Sequence, residues 1–451
     1  MLRAATGALV LLALAAPAAS AKKCNGEQVT ISFQDVKGHD IVGTPGRDVI
    51  EGGPKSERIS GGAGDDVICG GGDDDIIDGG PGRDELFGED GSDIFPGLDV
   101  AQDVVTGGAD ARVYKDVVSF ARSPVGVRVS LRDRLVIADG SSIRGGLHGI
   151  EKVVGSDHDD HLIGDAGSNS FDGHGGNDVL DGRGGNDQLR GGEGADRVTY
   201  AWGDEAIDVR LADAEETGTV AMGRGGDIDV DDVDGVEIVV GTRFDDRIRG
   251  SDADEQLIGG PGDDVVKGLG GHDTLEGGPG DDILFPGAGD DTADGGANGP
   301  VTSAGAHGDL VSYQGDKARI GGASSFDFEA YLVPSPFFHD PPQASGVGDD
   351  ALIGIESIRA PEHAMSYLEG DAGPNVLIGG AKIDSIEGGA GNDLLYGLGS
   401  NDNLTGGAGD DYLDGGGPNG KGEADKLDGS AGDDTCLNAL DDFMTSCEAT
   451  G

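Results

Sequence analysis

Aromatic side chains are scarce in this chain, 4% of 451 residues, and basic ones are outnumbered by acids, 31 Lys and Arg against 86 Asp and Glu. The formal net charge of −55 sets nucleic acid and anionic membrane surfaces aside as partners, because both would repel it. So high a charge with so few aromatics reads, taken alone, as disorder. The chain packs only if something neutralises its carboxylates, and a surface of this kind suits cations. Long apolar runs are missing too. Beyond the first 21 residues no segment has the length to span a bilayer, which excludes membrane insertion and argues against pore formation. No His is followed by Glu, so there is no HExxH metalloprotease helix. No serine sits in Gly-x-Ser-x-Gly, so the lipase elbow is missing.

The opening MLRAATGALVLLALAAPAASA has a short basic start, an apolar stretch and Ala19-Ser20-Ala21 before Lys22. It reads as a secretory signal peptide, which makes the mature protein secreted and extracellular. Cysteine is limited to four residues, which in an exported chain favours disulfides with three connectivities open. Cys24 lies ahead of an early repeat that ends at Cys69, while Cys436 lies in the last repeat and Cys447 in the tail. Cys24–Cys69 and Cys436–Cys447 are the favoured pairs, since end-to-end pairing would require an elongated chain to fold back.

What the sequence has in abundance is glycine, 88 residues, arranged with aspartate. In GGAGDDVICGGGDDDIIDGGPGRDELF (61–87) the same order returns every nine residues: Gly-Gly first, Asp at place six, an apolar residue at place eight. Neither a helix nor a half-buried strand has that period. Laid out in nines, the chain divides into a signal peptide (1–21), an N-terminal cap (22–42), and a first repeat block (43–96). A first insertion (97–154), second block (155–199), second insertion (200–240) and third block (241–294) follow. A third insertion (295–369), a fourth block (370–437) and a C-terminal cap (438–451) complete it. Some units are worn, with Glu57, Asn169, Glu255 and Asn375 at place six. The insertions resemble one another. Each opens on an apolar strand after an acid (Asp116, Asp196, Asp309) and closes on Gly-x-Glu: GIEKVVG (149–155), GVEIVVG (235–241), GIESIRA (354–360). Alternating runs inside the first two, VGVRVSL (125–131) and IDVRL (207–211), are period-two strand signals. They predict strand pairs added to one solenoid rather than separate domains.

The nonapeptide resembles the RTX, or haemolysin-type, calcium-binding repeat GGxGxDxUx, over roughly twenty tandem units. The resemblance implies an all-β protein, a right-handed parallel β-roll with strand-forming insertions, holding several Ca²⁺ ions in its turns. The residues supply a reason. Glycine permits positive φ and close approach of neighbouring turns, so main-chain carbonyls line up as hard oxygen ligands. The place-six carboxylate completes an irregular oxygen cage of the kind Ca²⁺ accepts. The expected metal residues are Asp48, Asp66, Asp75, Asp84 and Asp93 in the first block, and Asp160, Asp178, Asp187 and Asp196 in the second. The third contributes Asp246, Asp264, Asp273, Asp282 and Asp291; the fourth Asp384, Asp393, Asp402, Asp411, Asp425 and Asp434. The three residues after each form a short strand whose middle member, such as Ile68, Ile77 or Leu180, enters the core. Units n and n+2 then stack about 4.8 Å apart, with an ion between them. Counting such pairs gives on the order of fourteen ions.

Two motifs are decoys. VDDVDGVEIVVG (230–241) fails the EF-hand pattern at Val230 and at Gly241, where Glu is required. HDDH (158–161) lies inside a repeat with no cysteine near, so its histidines read as surface residues rather than zinc ligands. The expected function is a calcium-binding, non-enzymatic structural or interaction module whose folding is coupled to Ca²⁺. The open partner class is a cell surface or glycan. The alternative is a carbohydrate-acting enzyme or adhesin with its site in the third insertion, where FDFEAYLVPSPFFHDPP (326–342) gathers Phe326, Phe328, Tyr331, Phe337 and Phe338. Residues 24–42 and 438–451 are expected to cover the roll's open ends, the latter with Phe443 or Met444 over the core.

Overall fold

The computed structural model describes residues 23–35, 39–97, 103–108, 115–138, 141–144, 146–211, 218–222, 229–297, 310–312, 328–331, 343–345, 349–353, 355–362, 364–416, 424–437 and 443–450. Among them there is no α-helix; the single helical turn is 3-10, at Phe33–Asp35. The leader and most of the aromatic segment 326–342 lie outside the described residues. The chain forms two compact units, Met1–Ser119 with Arg134–Ile150, and Phe120–Asp133 with Glu151–Gly451.

In the first unit the chain alternates between two parallel sheets. Ile31–Ser32, Val49–Glu51, Val67–Gly72, Glu85–Asp90, Val104–Gly108 and Leu147–His148 build one. Asp40–Val42, Arg58–Ser60, Ile76–Asp78, Ile94–Pro96 and Val117–Ser119 build the other. Register follows the nonapeptide: Ile50 pairs with Ile68, Ile59 with Ile77, each one coil of eighteen residues later. Because a strand turns alternate residues to opposite faces, only the middle residue of each triplet enters the core. Ile41, Ile59, Ile77, Phe95 and Val118 form one such column, and Ile50, Ile68, Leu86 and Val105 the other, all fully buried. The roll therefore continues past residue 96, through Val104–Gly108 and Val117–Ser119, where the nine-residue spacing lapses. The N-terminal hairpin, Lys23–Cys24 with Glu27–Gln28, is tied to the roll by the Cys24–Cys69 disulfide. Cys24 packs with Val49, Val67 and Cys69, flanked by Val29 and Phe87, so the hairpin covers the outer face of a sheet while Ile31–Ser32 extends its end.

The second unit repeats the scheme at greater length, with Leu162, Leu180, Val198, Val239, Leu257, Leu275 and Ala293 stacked fully buried along one sheet. Two insertions enter these sheets as antiparallel meanders. In one sheet the order is Gln188–Glu193, Asp229–Asp234, Gly218–Met222, Ile207–Arg210, Arg247–Arg249. In the other it is Thr292–Ala297, Asp349–Ile353, Gln343–Ser345, Phe328–Tyr331, Ser366–Glu369. Each adds three strands, not the two expected from sequence. The reason is directional. Both outer junctions are parallel, so an excursion whose strands alternate in direction needs an odd number of them. The C-terminal strand Phe443–Thr445 continues one sheet, with Met444 opposite Leu427 and half-buried. Phe443 takes the outward register and is 71% exposed, so of the two residues expected over the core only Met444 faces it. The Cys436–Cys447 disulfide is formed as expected.

Candidate metal centre

All twenty place-six aspartates are buried, and they stand in columns at the turns. What holds them is a side-chain ladder. The backbone N–H of Asp66 donates to Oδ1 of Asp84, one coil later, at 2.8 Å. The same bond joins Asp48 to Asp66, Asp75 to Asp93, Asp160 to Asp178 and Asp178 to Asp196. It recurs from Asp246 to Asp264, Asp264 to Asp282, and Asp273 to Asp291. In the fourth block it joins Asp384 to Asp402, Asp393 to Asp411, Asp402 to Asp425, and Asp411 to Asp434. Asp187 receives the N–H of Asn169. The pairs expected to flank an ion are thus adjacent, with one carboxylate oxygen engaged.

The other oxygen is a different matter. Oδ2 of Asp66, Asp75, Asp178, Asp196, Asp264, Asp273, Asp393, Asp411 and Asp434 is buried and accepts no hydrogen bond. It points at the first glycine of its own turn: a Cβ on Gly61 would lie 2.4 Å from Asp66 Oδ2 and 2.5 Å from the Gly79 carbonyl. A buried anionic oxygen without a donor is costly unless a proton or cation meets it. The titration behaviour agrees. Burial, with neighbouring carboxylates adding to it, pushes Asp75 and Asp178 up to about 7 and Asp264 and Asp273 up to about 8. Burial likewise raises Asp282, Asp384 and Asp393 to about 6.

Backbone conformation keeps the pocket open. Gly62, at place two, has φ 105°, and a Cβ there would meet the Thr44 carbonyl at 2.3 Å. Left-handed geometry at this place turns the N–H away from the carboxylate and stacks carbonyl over turn. Non-glycine residues at place two accept the same conformation, among them Glu89, His174, Arg183, Leu269 and Leu398. Among the described residues no three side chains of His, Cys, Asp or Glu converge as a ready-made metal cluster. A cation in these turns would therefore take most of its oxygens from the main chain, as a hard, flexible ion such as Ca²⁺ does.

The nine-residue pattern missed several members of the columns. Asp103 and Asp116 accept the N–H groups of Asp84 and Asp93 at 2.9 and 2.7 Å. Asp231 accepts from Asp187 at 2.9 Å, and Glu237 from Asp196 at 2.7 Å. Asp103, Asp116 and Glu237 each stand directly before an apolar strand, a signal the insertions carried, whereas Asp231 lies within the strand Asp229–Asp234. Also missed was place five, whose Asp or Asn side chains form a second ladder. Oδ1 of Asp65, Asp245 and Asp263 accepts the N–H of Arg83, Asp263 and Asp281, and His272 Nδ1 accepts that of Asp290. Of the zinc decoy, His161 lies in a strand, His161–Ile163, and His158 in the turn before it.

Stacked turns of this kind, lined by carbonyls and buried carboxylates, define a calcium-type β-roll. The chain belongs to the family of the RTX calcium-binding nonapeptide repeat, whose profile matches residues 42–77, 70–95, 154–189, 175–204, 232–266, 258–293, 369–404, 394–417 and 419–440, a little over half of its length. It is a calcium-binding β-roll module. No curated protein matches the chain.

Proposed function

We propose that the protein is a secreted module that binds several calcium ions and folds as it does so, serving a structural or interaction role outside the cell rather than catalysing a reaction. The observation that carries this reading is the set of buried Oδ2 atoms without donors in the interior turns. Asp66, Asp75, Asp178, Asp196, Asp264, Asp273, Asp393, Asp411 and Asp434 would hold the ions together with turn carbonyls. Bound Ca²⁺ supplies positive charge where these carboxylates crowd. Metal bound only by the folded state stabilises it by mass action. Extracellular modules bind Ca²⁺ at about 10⁻⁴ to 10⁻³ M, a range that suits an exported protein, and the two disulfides suit an oxidising compartment. Far-UV circular dichroism of the chelated protein, titrated with Ca²⁺, tests the coupling: β-signal should grow with calcium through a saturable transition. Full β-signal in excess chelator would overturn it. Sequencing the N-terminus of the exported protein tests secretion, with Lys22 expected as the first residue.

A further inference from the structure

We infer that each repeat block opens with turns that close on themselves without calcium, so that Asp48, Asp160, Asp246 and Asp384 are structural acceptors rather than metal ligands. The inference rests on the calcium reading of the interior turns and divides the columns into two chemical kinds.

In the opening turns the place-two residue lies outside the left-handed region, and its N–H reaches the carboxylate. Thr44 N–H donates to Asp48 Oδ2 at 2.6 Å, and its hydroxyl donates to the same oxygen at 2.8 Å. Thr242 N–H donates to Asp246 Oδ2 at 2.6 Å, its hydroxyl to Oδ1 at 3.0 Å, and Ile207 N–H to Oδ1 at 2.9 Å. Ser156 serves Asp160 in the same way, by both N–H and hydroxyl. Gly380 N–H donates to Asp384 Oδ2 at 2.7 Å while Ser366 N–H takes Oδ1. At Asp160, Asp246 and Asp384 both carboxylate oxygens are engaged by backbone or hydroxyl donors, and at Asp48 Oδ2 is held twice over by Thr44.

One coil later the arrangement changes. Gly62, His174 and Gly260 take φ of 105°, 80° and 105°, and Oδ2 of Asp66, Asp178 and Asp264 loses its donor. The worn units fit the same division. Glu57, Asn169 and Glu255 follow in the second turn of their opening coils, while in the fourth block the order is reversed and Asn375 precedes Asp384; each accepts the N–H of its own place-two residue. A neutral amide serves at Asn169 and Asn375, where a calcium ligand would want a carboxylate. In the first three blocks the sequence signature is Gly-[Ser/Thr]-x-x-x-Asp followed by a unit with Glu or Asn at place six, as in GTPGRD then GGPKSE, GSDHDD then GDAGSN, and GTRFDD then GSDADE; the fourth reads GDAGPN then GGAKID. Each block thus carries its own metal-free beginning, and calcium loading starts afresh within it.

The test is calcium content per chain, measured by atomic emission on the full-length protein after equilibration at fixed, saturating free Ca²⁺. Circular dichroism on the same samples confirms that each variant is folded. Asp246→Asn should keep the parent's calcium content, whereas Asp264→Asn, one coil on, should lose at least one ion. Asp160→Asn against Asp178→Asn repeats the comparison in a second block and decides the matter should one Asn variant fail to fold. Equal loss from the opening and interior variants would overturn the inference and leave the calcium reading intact. No loss from either would remove the interior carboxylates as ligands, and both readings with them.

Discussion

Asp231 and Asp264 begin alike and end differently. Both are 1% exposed, and each gives one oxygen to the backbone N–H of the preceding coil, that of Asp187 or of Asp246. At Asp231, in the meander, the phenol of the fully buried Tyr200 donates to Oδ2 at 3.1 Å. At Asp264, in the repeats, Oδ2 has no donor. The same side chain at the same station of the fold is a structural acceptor in one place and a candidate ligand in the other. What separates them is whether the chain itself supplies the second donor. The wide glycine-rich turn withholds it, and the insertion provides it.

Removing calcium should affect the two kinds of region unequally, and this is the largest effect expected. In excess chelator at low salt the interior repeats should lose their β-structure, because like charges then stand close together in the columns. Far-UV circular dichroism reads the loss, and an unchanged spectrum would make the repeats purely structural. Next in size is Asp273→Ala, which removes a carboxylate whose Oδ2 has no donor. It should raise the calcium midpoint on the order of tenfold, about 1.4 kcal/mol, while Asp252→Ala, not at place six, should leave it nearly unmoved. Equal shifts would sink the assignment of place six.

Acid should partly replace the metal. Several interior carboxyls are raised in the folded, calcium-free chain, to about 6 for Asp282 and about 8 for Asp264 and Asp273. The folded state then holds more protons than the unfolded one above the ordinary carboxyl range near pH 4. Their contribution is fully present below that range and is lost as pH rises through about 6 to 8. The chelated protein should therefore gain β-signal between pH 8 and pH 4, and a signal that falls on acidification would contradict the sign. The smallest effect is Tyr200→Phe, which deprives Asp231 of its phenol. It should cost about 1 kcal/mol in thermal melts at saturating calcium. A variant as stable as the parent would show the hydroxyl to be dispensable.

Much of this was readable in advance, for a physical reason. The nonapeptide encodes turn, ligand and core side chain in fixed order, so Ile68 and Leu180 in the core and Asp66 and Asp178 at the turns followed from period alone. The two disulfides followed from where the repeats begin and end. What was hidden depended on the neighbouring coil rather than on the unit itself. Asp231 joins a column forty-four residues after Asp187, a distance no period gives. The third strand of each meander was hidden too, because strand parity belongs to the sheet and not to the segment. Place five looked like mere acidity until its ladder appeared.

That ladder has a consequence for length. At place six the donor lies on the earlier coil and the acceptor on the later; at place five the direction is reversed, as Asp246 N–H to Asp264 and Asp263 N–H to Asp245 illustrate. An α-helix aligns all its peptide groups one way and accumulates a macrodipole. Where both ladders are present, a junction between coils carries two opposed dipoles that largely cancel, so those stretches of the stack grow without building an axial field. The natural increment is a whole coil, eighteen residues, since a single unit would exchange the two sheets. A gene encoding such a stack can gain or lose coils by duplication or deletion, and a new junction whose units carry both ladder residues closes on the same terms as its neighbours.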